Sequence, residues 1–206
     1  MTVTTVFATA PAGGGSVYGL DATYATARTT GSANANNHVA GQTTDYICYE
    51  AVMIFDTSGI PDTDTVSDVV LSLDGSFDSS TTDFTVTAAS SSYNGGAADY
   101  TVDFVSGASL SGLTTYATWS SAGYVAGYNA FTSAGAAFNS AINLTGSTAL
   151  MLYSNEHRDN SAPTTAEWVS FIDADAAGTT EDPKLDITHA AGGGATVKPL
   201  AALGVG

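Results

Sequence analysis

The chain has 206 residues, with twenty acidic side chains against four Lys and Arg, for a formal net charge of −16. That length holds one all-β domain with a full core and requires no second domain. The charge excludes a nucleic-acid partner, which needs clustered Lys and Arg to displace counterions, and an anionic membrane would repel such a surface. Gly, Ala, Ser, Thr and Asn dominate, as in exported or assembled surface proteins. Cys48 is the single cysteine, so no intramolecular disulfide forms; within YICYEAVMIF it reads as a small buried hydrophobe.

The opening MTVTTVFATAPAGGGSVYG has no basic segment followed by a continuous apolar one, so no secretory signal is expected. No window of about 18 apolar residues predicts a membrane span. Val3, Thr5 and Phe7 alternate before Pro11 and three glycines break the pattern, which predicts a flexible arm over 1–15. A single domain is expected over 16–189. SVYGLDATYATAR (16–28) supplies its first strands, and GSANANNH (31–38) reads as a polar loop. The nearly all-apolar run 45–55 fits a strand buried on both faces. FDTSGIPDTDTV (55–66) is turn chemistry, joining AVMIF to the next strand, VVLSL.

Val69, Leu71 and Leu73 fall on one face of that second strand. Phe84, Val86 and Ala88 alternate with threonines, and Tyr100, Val102 and Phe104 repeat the pattern, so both stretches are predicted as half-buried strands. Residues 106–131 are irregular and aromatic. TSAGAAFNSAINL is the one helical candidate, capped by Thr132 or Ser133, with Ala137, Phe138 and Ile142 as its apolar stripe. Strands at 149–153, 168–172 and 185–187 complete the domain, and 190–206 is expected to be a Gly-rich C-terminal arm. Such strand spacing, with almost no helix, predicts an all-β fold: an antiparallel β-sandwich or jelly roll with one short helix and flexible terminal arms.

From Asp21 to His189 the order of pieces resembles DNRLRE-type domains, which are β-sandwiches of jelly-roll, carbohydrate-binding-module style. The resemblance is carried by DATYATAR, the Asn-rich loop, AVMIFDTSGIPDTDTVSDVVLSL, NLTGSTALMLYS and VSFIDADAAGTTEDPKLDIT. WSSAGYVAGYNAFTS and ALMLYSNEHRDN also look like versions of this domain in virion proteins of tailed bacteriophages. The six-letter signature that names the family is absent, and Glu50 stands where an Arg or Lys often precedes the AVMIF-type strand. The resemblance implies a non-catalytic surface, adhesion or particle-structure role, and it carries no shared catalytic set.

The catalytic motifs point the same way. His38, His157 and His189 fall in no metal-ligand spacing. His157-Arg158-Asp159 spells the start of a kinase catalytic loop without the Asn, Gly-rich loop or strand lysine that such a site needs. Asp173 and Asp175, with Gly178, copy the start of a calcium loop and make the chain's candidate structural calcium site. Ala177 and Lys184 stand where further oxygen ligands belong. Asp62, Asp64 and Asp68 form a second acidic group, and Asn143 heads a glycosylation sequon by pattern alone. Tyr116, Trp119, Tyr124 and Tyr128 are the candidates for stacking on sugar rings.

The expected function is a non-enzymatic virion structural protein on the particle surface, a capsid decoration or cement subunit or a head or tail fibre component. The alternative is a carbohydrate-binding or adhesion module that recognises a cell-surface glycan. The expected partners are other virion proteins, with the major capsid protein first, further copies of the chain, and a host glycan.

Overall fold

A computed structural model describes residues 1–9, 15–174 and 178–192. Its strands are β1 (Thr2–Phe7), β2 (Ser16–Leu20), β3 (Ala33–Ala35), β4 (His38–Gln42), β5 (Ile47–Asp56), β6 (Asp64–Asp78) and β7 (Thr85–Ser90), followed by β8 (Thr115–Ser120), β9 (Tyr128–Ala130), β10 (Thr132–Ser133), β11 (Ser147–Ser154), β12 (Glu167–Phe171) and β13 (Lys184–Ala191). Four short helices interrupt them: α1 (Tyr24–Ala27), α2 (Gly107–Leu110), α3 (Ala136–Ala141) and α4 (Asn155–Asp159). Every strand pairing among the described residues is antiparallel, along the order β1-β13-β6-β12-β4-β5-β11-β7-β8-β10. The fold is all-β, a curled antiparallel sheet consistent with a sandwich or jelly roll.

β6 produces the curl. It is 15 residues long and changes partners along its length. Residues from Asp64 to Ser72 pair with β13, Ser72–Asp74 with β9, and Gly75–Asp78 with β12. Bulges in both long pairings bend it, as an extra residue in one strand does. The main core lies between Val69, Leu71 and Leu73 of β6 with Leu185 and Ile187 of β13 on one side, and Ala51, Met53 and Phe55 of β5 with Leu150 and Leu152 of β11 on the other. The alternate residues Val52, Met151 and Tyr153 face the opposite way. There they build a second cluster with Tyr93, Ala98 and Leu110 from the long 91–113 connection. Over residues 51–55 β5 is covered on both faces, and apolar burial there is worth about 1.5–3 kcal/mol for each large side chain.

The connection after β5 is not a hairpin. β5 pairs with β2, β4 and β11, whereas β6 pairs with β9, β12 and β13. FDTSGIPDTDTV is therefore an arch between layers. Asp56 Oδ1 accepts from the Ser58 N–H at 3.1 Å and from its hydroxyl at 2.6 Å, Asp64 N–H donates to Pro61 O, and buried Ile60 plugs the arch from inside.

Several local expectations need correction. Residues 2–7 are not a free arm: they form β1, in register with β13 from Thr2↔His189 to Phe7↔Lys184. β13 likewise runs two residues past His189, and residues 193–206 lie outside the described residues. Tyr100, Val102 and Phe104 are not in a strand. Asp99 accepts from the Thr101 N–H and hydroxyl, and its carbonyl accepts from Val102 and Asp103, so a turn wins over the alternation. The 31–38 loop contains β3, and the aromatic 106–131 stretch contains α2, β8 and β9. The expected helix is present as α3, but Gly135, at φ +62°, occupies its N-cap, while the Ser133 hydroxyl accepts from the Gly135 N–H. The other three helices are single turns between strands.

Candidate functional site

The four aromatic residues expected to bind sugar do not share one surface. Tyr116 stacks on Phe138 at 5.5 Å and 6°. Trp119 is 9% exposed and sits between Phe131 and Phe171, with ring centroids 5.9 and 5.6 Å away. Tyr124 packs against the main core. Tyr128 donates its hydroxyl to Asp182 O at 2.8 Å and lies under Lys184, whose Nζ is 4.6 Å from the ring. Trp119 and Tyr116 are packing residues of the interior, and a sugar cannot reach the Trp119 face.

A different aromatic row does reach the surface. Tyr18 of β2, Tyr49 of β5, Trp168 of β12 and Phe77 of β6 follow one another with ring centroids 5.4, 6.4 and 5.5 Å apart. Strand register assembles them. Tyr18 is the cross-strand partner of Tyr49, Tyr49 of Gly41, and Gly41 of Trp168. Phe77, paired with the neighbouring Ser170, extends the row. Cross-strand neighbours lie close enough for aromatic contact. None of the four rings belongs to a buried cluster or packs against one. Tyr18, Tyr49 and Trp168 are half-buried, and Phe77 is 55% exposed.

Gly41 makes the row continuous. It lies between Tyr49 and Trp168 at φ +128°, where a Cβ would collide with Glu167 O and Trp168 Cα. Gly41→Ala is therefore expected to cost about 2 kcal/mol or more, read as a lower midpoint in denaturant. The polar tips of the row are free for a ligand: the Tyr18 and Tyr49 hydroxyls and the Trp168 indole N–H make no hydrogen bond among the described residues. Burial, and then neighbouring Tyr18, push the Tyr49 phenol above its usual range, so its hydroxyl stays a neutral donor. Such a row offers apolar ring faces edged with hydrogen-bond donors, which matches the alternating C–H faces and hydroxyl rims of sugars.

Two polar constellations have catalytic residue types. Thr4 Oγ1 is 2.9 Å from His189 Nε2, and His189 Nδ1 is 2.6 Å from Asp64 Oδ2, an order reminiscent of a nucleophile–base–acid relay. His189 is 5% exposed, and the three residues lie on adjacent paired strands β1, β13 and β6. They fasten edge strand β1 to the sheet. The second constellation is interior. Glu50, fully buried, accepts from the Val105 N–H at 2.8 Å and lies 3.4 Å from His157 Nδ1. His157 Nε2–H donates to Arg28 O at 3.0 Å, and Arg28 donates to His157 O and Arg158 O at 2.9 and 3.2 Å. Burial holds Glu50 well above the usual carboxylate range and brings His157 down to about 4. With Nε2 committed as the donor, neutral His157 turns Nδ1, an acceptor, toward Glu50 Oε1 at 3.4 Å; neither atom has a hydrogen-bond partner among the described residues, and burial favours the protonated Glu50 that could supply one. This knot joins the end of α1, β5, the 104–107 segment and α4. It is a device for seating the long loop on the sheet.

Arg158 and Asp159 of the HRD sequence form a surface ion pair at 2.7 Å. Cys48 is fully buried, and burial pushes its thiol up to about 12, which keeps it unreactive. Asp173 is buried and accepts from the Asn37 N–H at 3.1 Å, whereas Asp175 lies outside the described residues. Among the described residues no three His, Cys, Asp or Glu side chains converge as a metal site. A cleft of about 320 Å³, lined by Ser90, Ser92, Asp103, Val105, Leu113 and Met151 among others, shares no residue with the aromatic row.

Sequence reasoning passed over the row because its members are separated by up to 150 positions. The residue types were visible, but their adjacency is a product of strand pairing. In comparisons with known proteins, no family model and no curated protein matches the chain.

Proposed function

We propose that the chain is a non-enzymatic surface subunit whose working face is the Tyr18–Tyr49–Trp168–Phe77 row, a carbohydrate-binding surface. The observation that carries this reading is a continuous line of partly exposed rings with uncommitted polar tips, built on paired strands and separate from every core cluster. Rigid strands hold ring positions better than loops do, which lowers the entropy cost of binding. The test is a glycan array probed with wild type and with Trp168→Ala. Wild type is expected to bind a defined set of glycans, and the variant to lose about 2 kcal/mol or more, the usual cost at an aromatic anchor. Equal binding by the two proteins would remove the row from the account.

Display on a virus particle is the accompanying proposal, as a decoration, cement or fibre subunit. It is supported by the resemblance of the sequence to DNRLRE-type domains in phage virion proteins and by an exported, surface-type composition. Mass spectrometry of purified particles tests it: the chain is expected among the virion proteins, and its absence would leave a carbohydrate-binding module without a particle.

A further inference from the structure

Resting on the carbohydrate reading, we infer that the row takes a single soluble chain of neutral sugars, gripped at internal residues along its length. The shape of the row sets the first part. Its four rings form a line across five strands, with β4 contributing Gly41, and among the described residues no further ring contacts either end, so successive sugars along a chain meet successive rings. A site for a chain end would instead enclose one terminal sugar, and the cleft of about 320 Å³ is lined by other residues.

The ring planes set the second part. Successive interplanar angles are 57°, 48° and 34°, so no two neighbouring rings are coplanar. A flat crystalline polysaccharide face can touch such a row at one ring at a time. A free chain, able to rotate about each glycosidic bond, can follow all four.

Charge sets the third part. The chain carries a formal net charge of −16, a field that disfavours polyanions. Three of its four cations are engaged elsewhere: Arg28 under the α4 carbonyls, Arg158 with Asp159, and Lys184 over Tyr128 and beside Asp186. The fourth, Lys198, lies outside the described residues. The groups the row itself offers are two phenol hydroxyls and an indole N–H, all neutral donors suited to sugar hydroxyls.

Native affinity electrophoresis tests the inference. The gels contain soluble neutral polymers (hydroxyethylcellulose, mixed-linkage β-glucan, galactomannan) or anionic ones (alginate, polygalacturonate). A pull-down on crystalline cellulose and titration with an oligosaccharide length series run beside them. The proteins are wild type, Trp168→Ala and Phe77→Ala, each checked by thermal melting; Phe77 is exposed enough that its loss should leave the fold intact. The expected result is retardation by at least one neutral polymer, affinity that rises with oligosaccharide length, and a loss of about tenfold or more in both variants. Stronger retention by the polyanions, pelleting with crystalline cellulose in place of soluble chains, or a monosaccharide binding as tightly as its oligomers would overturn the inference and leave the carbohydrate reading standing. Binding that neither substitution changes, or no binding to any of these sugars, would overturn that reading as well.

Discussion

Glu50→Gln is expected to keep the stability of the wild type to within about 1 kcal/mol, whereas His157→Ala is expected to lose about 3 kcal/mol or more, from the unpartnered buried groups and the cavity it leaves. The contrast follows from the hydrogen positions. His157 Nε2 faces the Arg28 carbonyl and must donate, which leaves Nδ1 an acceptor 3.4 Å from Glu50 Oε1, and burial favours the protonated carboxyl that can donate to it. A glutamine reproduces both contacts: its amide N–H donates to Nδ1, and its amide oxygen accepts from Val105 N–H. Alanine at 157 leaves the Glu50 carboxyl without its partner, frees the Arg28 carbonyl from one of its donors and empties the space beside Phe104, whose ring centroid is 5.7 Å from the imidazole. Urea unfolding of the three proteins decides between the two charge states. A Glu50→Gln loss as large as that of His157→Ala would mean that the pair is ionic.

Acidification should act through His38. Its ring is fully buried at the start of β4, with Nε2 3.2 Å from Val52 O and the Gly15 backbone against its face. Burial brings it from 6.5 to about 4. A folded-state value below the unfolded one means that the contribution to stability is complete above pH 6.5 and is lost as pH falls through about 4. The amount is on the order of 3 kcal/mol. Comparison with His38→Phe isolates it, because every other titrating group is common to both proteins, including Glu50, whose raised value acts in the opposite sense. Between pH 7 and pH 3 the stability difference should move against the wild type by that amount. A difference independent of pH would show that His38 is open to water.

The fold was legible where one physical signal dominated. Val69, Leu71 and Leu73 alternate because one face of β6 meets the core, and the 51–55 stretch is apolar throughout because that part of β5 is covered on both faces. The reading failed where two signals competed. Tyr100, Val102 and Phe104 have strand periodicity, yet the Asp99 side chain and carbonyl capture the local N–H groups. β1 has only six residues, next to a proline and three glycines, and its strand identity comes from β13 at the far end of the domain sequence. The proposed site was legible in residue class and not in location. The aromatic candidates clustered in sequence, Tyr116 to Tyr128, are not brought onto one surface, and Trp119 is drawn into the core. The surface row uses Tyr18, Tyr49, Phe77 and Trp168, and their meeting depends on strand register together with a glycine at position 41.

Trp168 gives the central claim its most direct test. The chain has two tryptophans, so Trp119→Phe, a conservative change inside the core, leaves Trp168 as the sole indole emitter. Titrating that variant with the neutral oligosaccharide selected by electrophoresis should shift and quench its emission along a saturable curve, with a dissociation constant matching that of the wild type. Saturable binding with unchanged Trp168 emission would place the sugar elsewhere and contradict the account.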